Sequence, residues 1–203
     1  MTGIPFLSLA IWVPIAGGLL ALATGSDRNA SVARFVALLS ALAGLAVSIP
    51  LYTGFDVTQS AMQFVESYPW IPRFNINYTL GVDGISVLFV LLNSFITVIV
   101  VVAGWEVIKE KVAQYMAGFL IMSGLINGIF SALDGLLFYV FFEASLIPLF
   151  IIIGVWGGPN RVYAAIKFFL YTLAGSLLML VALLYLFMES GGSFSILDWH
   201  QLK

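Results

Sequence analysis

The chain has 203 residues, 62% of them hydrophobic and 9% charged, with a net charge of −2 and a mean hydropathy of +1.08. A soluble domain carries about 25% charged residues, so these charges are too few to cover a water-exposed surface, and the acidic balance argues against nucleic acid, which needs a basic face. There is no cysteine and one histidine, His200; this excludes disulfides, iron–sulfur ligation and a thiol nucleophile, and argues against a haem or zinc site within the chain.

A membrane-spanning helix needs about 20 predominantly apolar residues. Six runs qualify: 4–23, 32–52, 84–104, 112–133, 135–156 and 161–187. The fold class expected is therefore an all-α polytopic membrane protein. The first run has no basic residues ahead of it, and although Ala21-Leu22-Ala23 loosely resembles a cleavage site, a retained helix is expected. The second carries Ala33, Ala37, Ala41 and Ser40, Gly44, Ser48 at helical spacing, a pattern that packing alone explains. The long connection 53–83 is polar and aromatic, with Pro69 and Pro72. Phe74-Asn75-Ile76-Asn77-Tyr78 alternates like a short strand, and the segment is expected to form an external hairpin or capping loop rather than a domain.

Asp83 and Asp134 precede the third and fifth helices and are expected as N-caps. The third helix holds Ser86, Asn93, Ser94 and Thr97, and the fourth Ser123, Asn127 and Ser131 beside Gly124 and Gly128. The sixth holds Asn160, Tyr163, Lys167, Tyr171 and Gly175. Hydrocarbon cannot satisfy such donors, so these stripes are expected to face other helices or internal water, with Asn127 and Lys167 turned away from lipid. "WGGPN" supplies glycines to end the fifth helix and Pro159 for the first turn of the sixth; it lacks the spacing of a phosphate-binding loop.

Two residues ask for more than packing. Glu143 lies roughly 10 Å inside the outer end of the fifth helix at 1.5 Å per residue, where a charge costs about 2.5–3.5 kcal/mol on insertion scales. Either it is a neutral, hydrogen-bonded residue pinning helices, or it relays protons or ions. Tyr139, Leu146 and Ile147 share its face, and its partner is expected from another helix or from water. Lys167 lies about 9–12 Å from the inner end of the sixth helix, close enough for its stem to snorkel. Pro148 cannot donate to the carbonyl of Ala144 beside Glu143. The kink either serves packing or opens space at an ion site.

Orientation follows from the basic residues. Arg28, Arg34, Lys109, Lys111 and Arg161 fall in loops on one side, against Arg73 and Lys203 on the other. The first set is expected in the cytoplasm, which puts both ends of the chain outside. Trp105 and Trp156 then sit at cytoplasmic helix ends, at headgroup level.

The stretch "LFYVFFEASLIPLFIIIGVWGGPNRVYAAIKFFLYTLAGSLLMLVALLYL" (137–186), with "TLGVDGIS" (79–86), closely resembles the antiporter-like, ND4-type subunits of bacterial respiratory complex I, the NADH–quinone oxidoreductase. The resemblance implies three leading helices (1–104) and then inverted five-helix repeats, of which 105–203 holds the first three helices of one. It implies that Glu143 is the proton-channel glutamate and Lys167 the lysine near it, with proton translocation driven by electron transfer in other subunits. No cofactor is expected in this chain; NADH, FMN, iron–sulfur clusters and quinone belong to partner subunits. The partners implied are membrane and peripheral subunits of the complex, especially neighbouring antiporter-like ones, in a bacterial inner membrane. The family's chains are much longer, and the broken helix carrying the lysine that pairs with the glutamate falls outside these residues. A lysine about 4 Å from Glu143 would interact by roughly 4 kcal/mol at an effective dielectric of 20, enough to switch proton uptake and release. Subunits of related multisubunit cation/proton antiporters or membrane hydrogenases share the Glu-bearing helix and remain an alternative, as does a membrane scaffold without transport.

Overall fold

A computed structural model describes residues 4–25 and 29–202, so Arg28 and Lys203 lie outside the described residues. Among the described residues, six helices are long and apolar enough to cross a membrane: α1 (Phe6–Ala23), α2 (Ala30–Thr53), α3 (Ser86–Val107), α4 (Val112–Ser131), α5 (Gly135–Trp156) and α6 (Arg161–Glu189). A short α7 (Ile196–Trp199) follows. The bundle is built around α1 and α4, which pack on each other, with α2 and α3 on one side and α5 then α6 on the other. A Cβ on Gly124 would collide with the carbonyl oxygen of Ile11, and one on Gly18 would come within 3.0 Å of the Ala117 carbonyl; glycine at both positions lets the two backbones touch. The α2 stripe is packing, as expected: Ala33, Ala37, Ala41, Gly44 and Ser48 are all buried.

The connection between α2 and α3 is an antiparallel hairpin, β1 (Gln63–Ile71) and β2 (Ile76–Val82). Phe74 and Asn75, expected in a strand, form its turn instead. Pro72 has no N–H for the ladder and starts a 3-10 turn over Pro72–Phe74, and Asn75 takes the left-handed conformation at φ 53° that asparagine tolerates. The strand begins at Ile76, two residues later than expected, and Ile76, Leu80 and Val82 turn inward. Leu80 and Val82 join Leu7, Ile11, Leu51, Val87, Leu137 and Phe141 in one core.

The hairpin also supplies a cap. Pro5 precedes α1 and offers no side-chain acceptor. Glu66 of β1 fills the role, accepting from the Leu7 N–H at 2.8 Å and the Ser8 N–H at 3.1 Å, and from the Ser8 hydroxyl. Tyr78 of β2 extends the clamp, its hydroxyl 3.2 Å from that of Ser8 and accepting from Trp12 Nε1 at 3.1 Å. A negative group at a helix N-terminus also opposes the helix dipole.

Both expected aspartate caps form. Asp83 Oδ1 accepts from the Ser86 N–H at 2.7 Å while Ser86 Oγ accepts from the Asp83 N–H at 2.9 Å, a reciprocal box at the start of α3. The Ser86 N–H holds the Asp83 carboxyl below the usual range. Asp134 Oδ1 accepts from Leu136 and Leu137, and its Oδ2 from Asn77 of β2 at 3.0 Å; burial pushes this carboxyl up against those three bonds. α4 ends at Ser131 rather than 133 because the linker is extended: Leu133 N–H donates to Thr79 and Leu133 O accepts from Ile196. Pro159 lies just before Asn160, the residue that precedes α6, not in its first turn.

The stripes on α3 and α4 close on each other. Asn93 Nδ2 donates to Ser123 O at 2.9 Å and to Asn127 Oδ1 at 2.8 Å, and the Thr97 and Ser123 hydroxyls meet at 2.7 Å. Asn127, 1% exposed, donates onward to Ala10 O of α1 at 2.9 Å. That carbonyl lacks its helical donor because residue 14 is proline, so α4 repairs the break in α1.

Two outcomes follow from these contacts. Glu66→Ala should destabilise the protein by about 1–2 kcal/mol, measured as a lowered melting temperature in detergent, and Glu66→Gln should cost less because one acceptor oxygen remains. Asn127→Leu should cost about 1–3 kcal/mol in the wild-type background and distinctly less alongside Pro14→Ala, which returns a donor to Ala10; equal losses in both backgrounds would deny the repair.

Candidate functional site

The candidate site is on α5, where Glu143 stands in an otherwise apolar run. The Asp134 cap fixes the start of this helix, so Glu143 lies eight residues beyond Gly135, about 12 Å along the axis. Its Oε1 atom is buried and has no hydrogen-bond partner among the described residues. Tyr139, one turn earlier, shares its face, since residues four apart on a helix face each other, and Ser176 of α6 lies nearby. Ser176 is 3% exposed, and its Oγ lies 3.0 Å from Leu173 O.

Pro148 is buried inside α5. It cannot donate to Ala144 O, and no side chain among the described residues does so; Ser145 Oγ bonds Phe142 O instead, at 2.7 Å. The contrast with α1 is direct, since the carbonyl released by Pro14 is met by Asn127.

Lys167 does not turn inward. It is exposed on α6, with its ammonium 5.8 Å from the centre of the Tyr163 ring, and it makes no ion pair with Glu143. Tyr163 and Tyr171 of the same stripe are also exposed. Geometry explains this. Nine residues separate Lys167 from Ser176, about 13 Å of rise and two and a half turns, so the lysine leaves the helix on the opposite side from that serine. α6 packs chiefly against α5 and shows this other face outward. Asn127, by contrast, is buried as expected. Sequence reasoning missed Ser176, because a lone hydroxyl on an apolar helix carries no signal. It named Tyr139 as sharing the face of Glu143.

The basic residues gather at one end of the bundle. Arg34 of α2 donates to Ile108 O beyond α3 at 2.9 Å, and Trp156 Nε1 donates to Glu110 O at 3.1 Å. Glu110, Lys111, Trp156 and Arg161 line one hollow there. The hairpin and α7 occupy the other end, where the hairpin's Asn75 donates to Gly192 O. Among the described residues, no group of three His, Asp or Glu side chains is placed to hold a metal ion.

Comparison with known proteins follows this geometry. Residues 132–201, which span α5, Glu143 and α6, match the family model "NADH:quinone oxidoreductase/Mrp antiporter, TM". The chain is 47% identical over 191 residues to NADH-quinone oxidoreductase subunit M of Rhodobacter capsulatus, covering 91% of this chain and 36% of that protein. Its fold matches a chain of respiratory complex I from Thermus thermophilus with bound NADH, with a TM-score of 0.82 and 29% identity, over 97% of this chain and 39% of that one. A chain of the Mrp complex from Dietzia sp. DQ12-45-1b matches with a TM-score of 0.78 over 92% of this chain and 20% of that one; at 18% identity it shows the fold alone. The chain thus spans less than two fifths of the length of the proteins it matches. By homology and by fold, the chain matches part of the ND4-type subunit M membrane subunits of the NADH:quinone oxidoreductase family.

Proposed function

We propose that this chain contributes part of a proton path to a proton-pumping NADH–quinone oxidoreductase, with Glu143 as the group that takes up and releases the proton. The observation that carries this reading is the buried Oε1 atom without a partner on a membrane-spanning helix. In hydrocarbon a carboxylate is tolerated when paired, hydrogen-bonded or protonated. The amide and hydroxyl side chains of the α3–α4 seam are satisfied locally, whereas a carboxyl with an open oxygen is suited to changing its charge. Lys167 takes a lesser part, as a cation on the outer face of α6 whose field biases the site from a distance.

The chain has no redox group in this reading. NADH, FMN, iron–sulfur clusters and quinone reside in partner subunits, and electron transfer there supplies the energy. Residues 1–104 form the leading helices and 105–203 the opening helices of a repeat. The location is a bacterial inner membrane, with the end bearing Arg34, Lys111 and Arg161 in the cytoplasm and the hairpin and both ends of the chain outside. A role in a cation/proton antiporter assembly is the second reading, favoured by the likeness of fold to a chain of the Mrp complex. Co-purifying chains separate the two.

Glu143→Gln keeps size and neutrality, so the complex should assemble while NADH-driven acidification in membrane vesicles is abolished or strongly reduced. Glu143→Asp should be milder, and Lys167→Ala milder than Glu143→Gln. Normal assembly with a normal gradient in Glu143→Gln would make the carboxyl structural and end the proposal. For orientation, single cysteines at Lys109 and Asn75 should label with an impermeant reagent from opposite sides of the membrane; same-side labelling is incompatible with the assignment.

A further inference from the structure

We propose that the basic end of the bundle holds an anionic phospholipid, with its phosphate in the hollow beside Lys111 and Arg161 and one acyl chain in the apolar groove that α5 and α6 form below it. The observation is a pair of cavities that meet. The hollow, about 210 Å³, is lined by Glu110, Lys111, Trp156 and Arg161. The groove, about 290 Å³, runs between Phe150 and Ile151 of α5 and Val162, Ala165 and Ile166 of α6. Gly154 and Val155 line both.

The two parts are built differently. The hollow is polar and lies at helix ends: Trp156 is the last residue of α5 and Arg161 the first of α6, the level at which tryptophan meets lipid headgroups. Its wall is fixed, since Trp156 Nε1 donates to Glu110 O at 3.1 Å and the indole stands edge-on to Tyr115 at 5.3 Å. The groove is aliphatic. Its floor is Ala165, 1% exposed, against Gly154, where a Cβ would lie 3.6 Å from that of Ala165. Ile151, Val162 and Ile166 are exposed and form its rim. Phe150, in ring contact with Phe169 at 5.4 Å, closes its deep end. From Gly154 to Phe150 is one turn, about 6 Å toward the middle of the membrane. Polar part outside and apolar part inside is the order in which a phospholipid enters a bilayer.

Charge selects the headgroup. Two cationic side chains line the hollow with one carboxylate, Glu110, and no ion pair joins Glu110 to Arg161 among the described residues. Arg161 also stands at the positive end of α6, whose first turn has no acidic residue and no side-chain cap. A cation there opposes the helix dipole, and a phosphate between the guanidinium and the helix start removes that conflict. Basic pockets between spanning helices suit anionic headgroups. A free phosphate would leave the groove empty. A partner helix, about 10 Å across, is wider than a slot between two helices in contact. A lipid fills both parts, and the site is independent of the role given to Glu143.

A photo-crosslinking amino acid in place of Val162, on the rim of the groove, reads the occupant. Membranes from cells making the whole complex are irradiated, the complex is purified, and the adducts are identified by mass. Anionic phospholipid should be enriched among them several times over its share of the membrane lipids. At matched complex content, Arg161→Gln should lower that preference about fivefold, the effect of one basic residue near an anionic surface, and Arg161→Lys should keep most of it. Adducts that mirror the bulk lipids, adducts with another protein segment, or a preference unchanged in Arg161→Gln each overturn the site. If Arg161→Gln does not assemble, the complex with native Arg161 decides in nanodiscs of zwitterionic lipid holding a minor fraction of anionic lipid: anionic adducts in excess of that fraction support the site, and adducts in proportion to it end the proposal.

Discussion

The fold depends on one constraint: in hydrocarbon, a backbone or side-chain polar group must find its partner within the protein. α1 shows how far the chain goes to meet it. Proline at position 14 removes a helical bond at mid-membrane, and Asn127 reaches across from α4 to supply it at 2.9 Å. Asn127 is in turn held by Asn93, and Ser123 by Thr97, so a single backbone defect draws α1, α3 and α4 into one polar seam. The start of the same helix is met in the same way, by a carboxylate from a strand about 60 residues distant. These are not isolated decorations. They set where α1 lies, and the glycine-lined contact between α1 and α4 can close only in that register.

Much of this was legible in the sequence. Hydropathy located all six spanning helices, and the identity of Asp83 and Asp134 announced the caps of α3 and α5 because a cap acts on its own neighbours. Features that depend on distant partners were hidden. Nothing near Glu66 marks it as the cap of α1, since the helix it serves is separated from it by all of α2. The hairpin was expected a residue or two early because Phe74-Asn75 continues an alternating pattern, whereas Pro72 had already ended the ladder and made them a turn. α4 looked two residues longer than it is, since Ala132 and Leu133 are apolar enough to be helical; the backbone bonds of Leu133 go to β2 and Ile196 instead.

The functional residues divide along the same line. Glu143 was found because an acid in an apolar run is costly whatever surrounds it. Its relation to Lys167 was not, because periodicity fixes which residues share a face but not which face a neighbour covers. The lysine stripe at 163, 167 and 171 is as regular as the buried stripe on α4, yet it points away from α5. Periodicity alone cannot tell these stripes apart; the difference lies in the packing of α6 on α5.

Set side by side, the two polar clusters show what separates structure from function here. The seam of α3 and α4 is closed: the Asn127 amide has defined partners, and its groups do not titrate. The site on α5 is open: Glu143 keeps one oxygen unmet, and Pro148 leaves the Ala144 carbonyl without a side-chain donor among the described residues. A closed network rigidifies, because any change strands a buried group. An open carboxyl in an apolar helix is held neutral by a proton and tolerates losing it only when a partner is supplied, which is the condition a carboxyl must meet if its proton is to come and go within the bilayer.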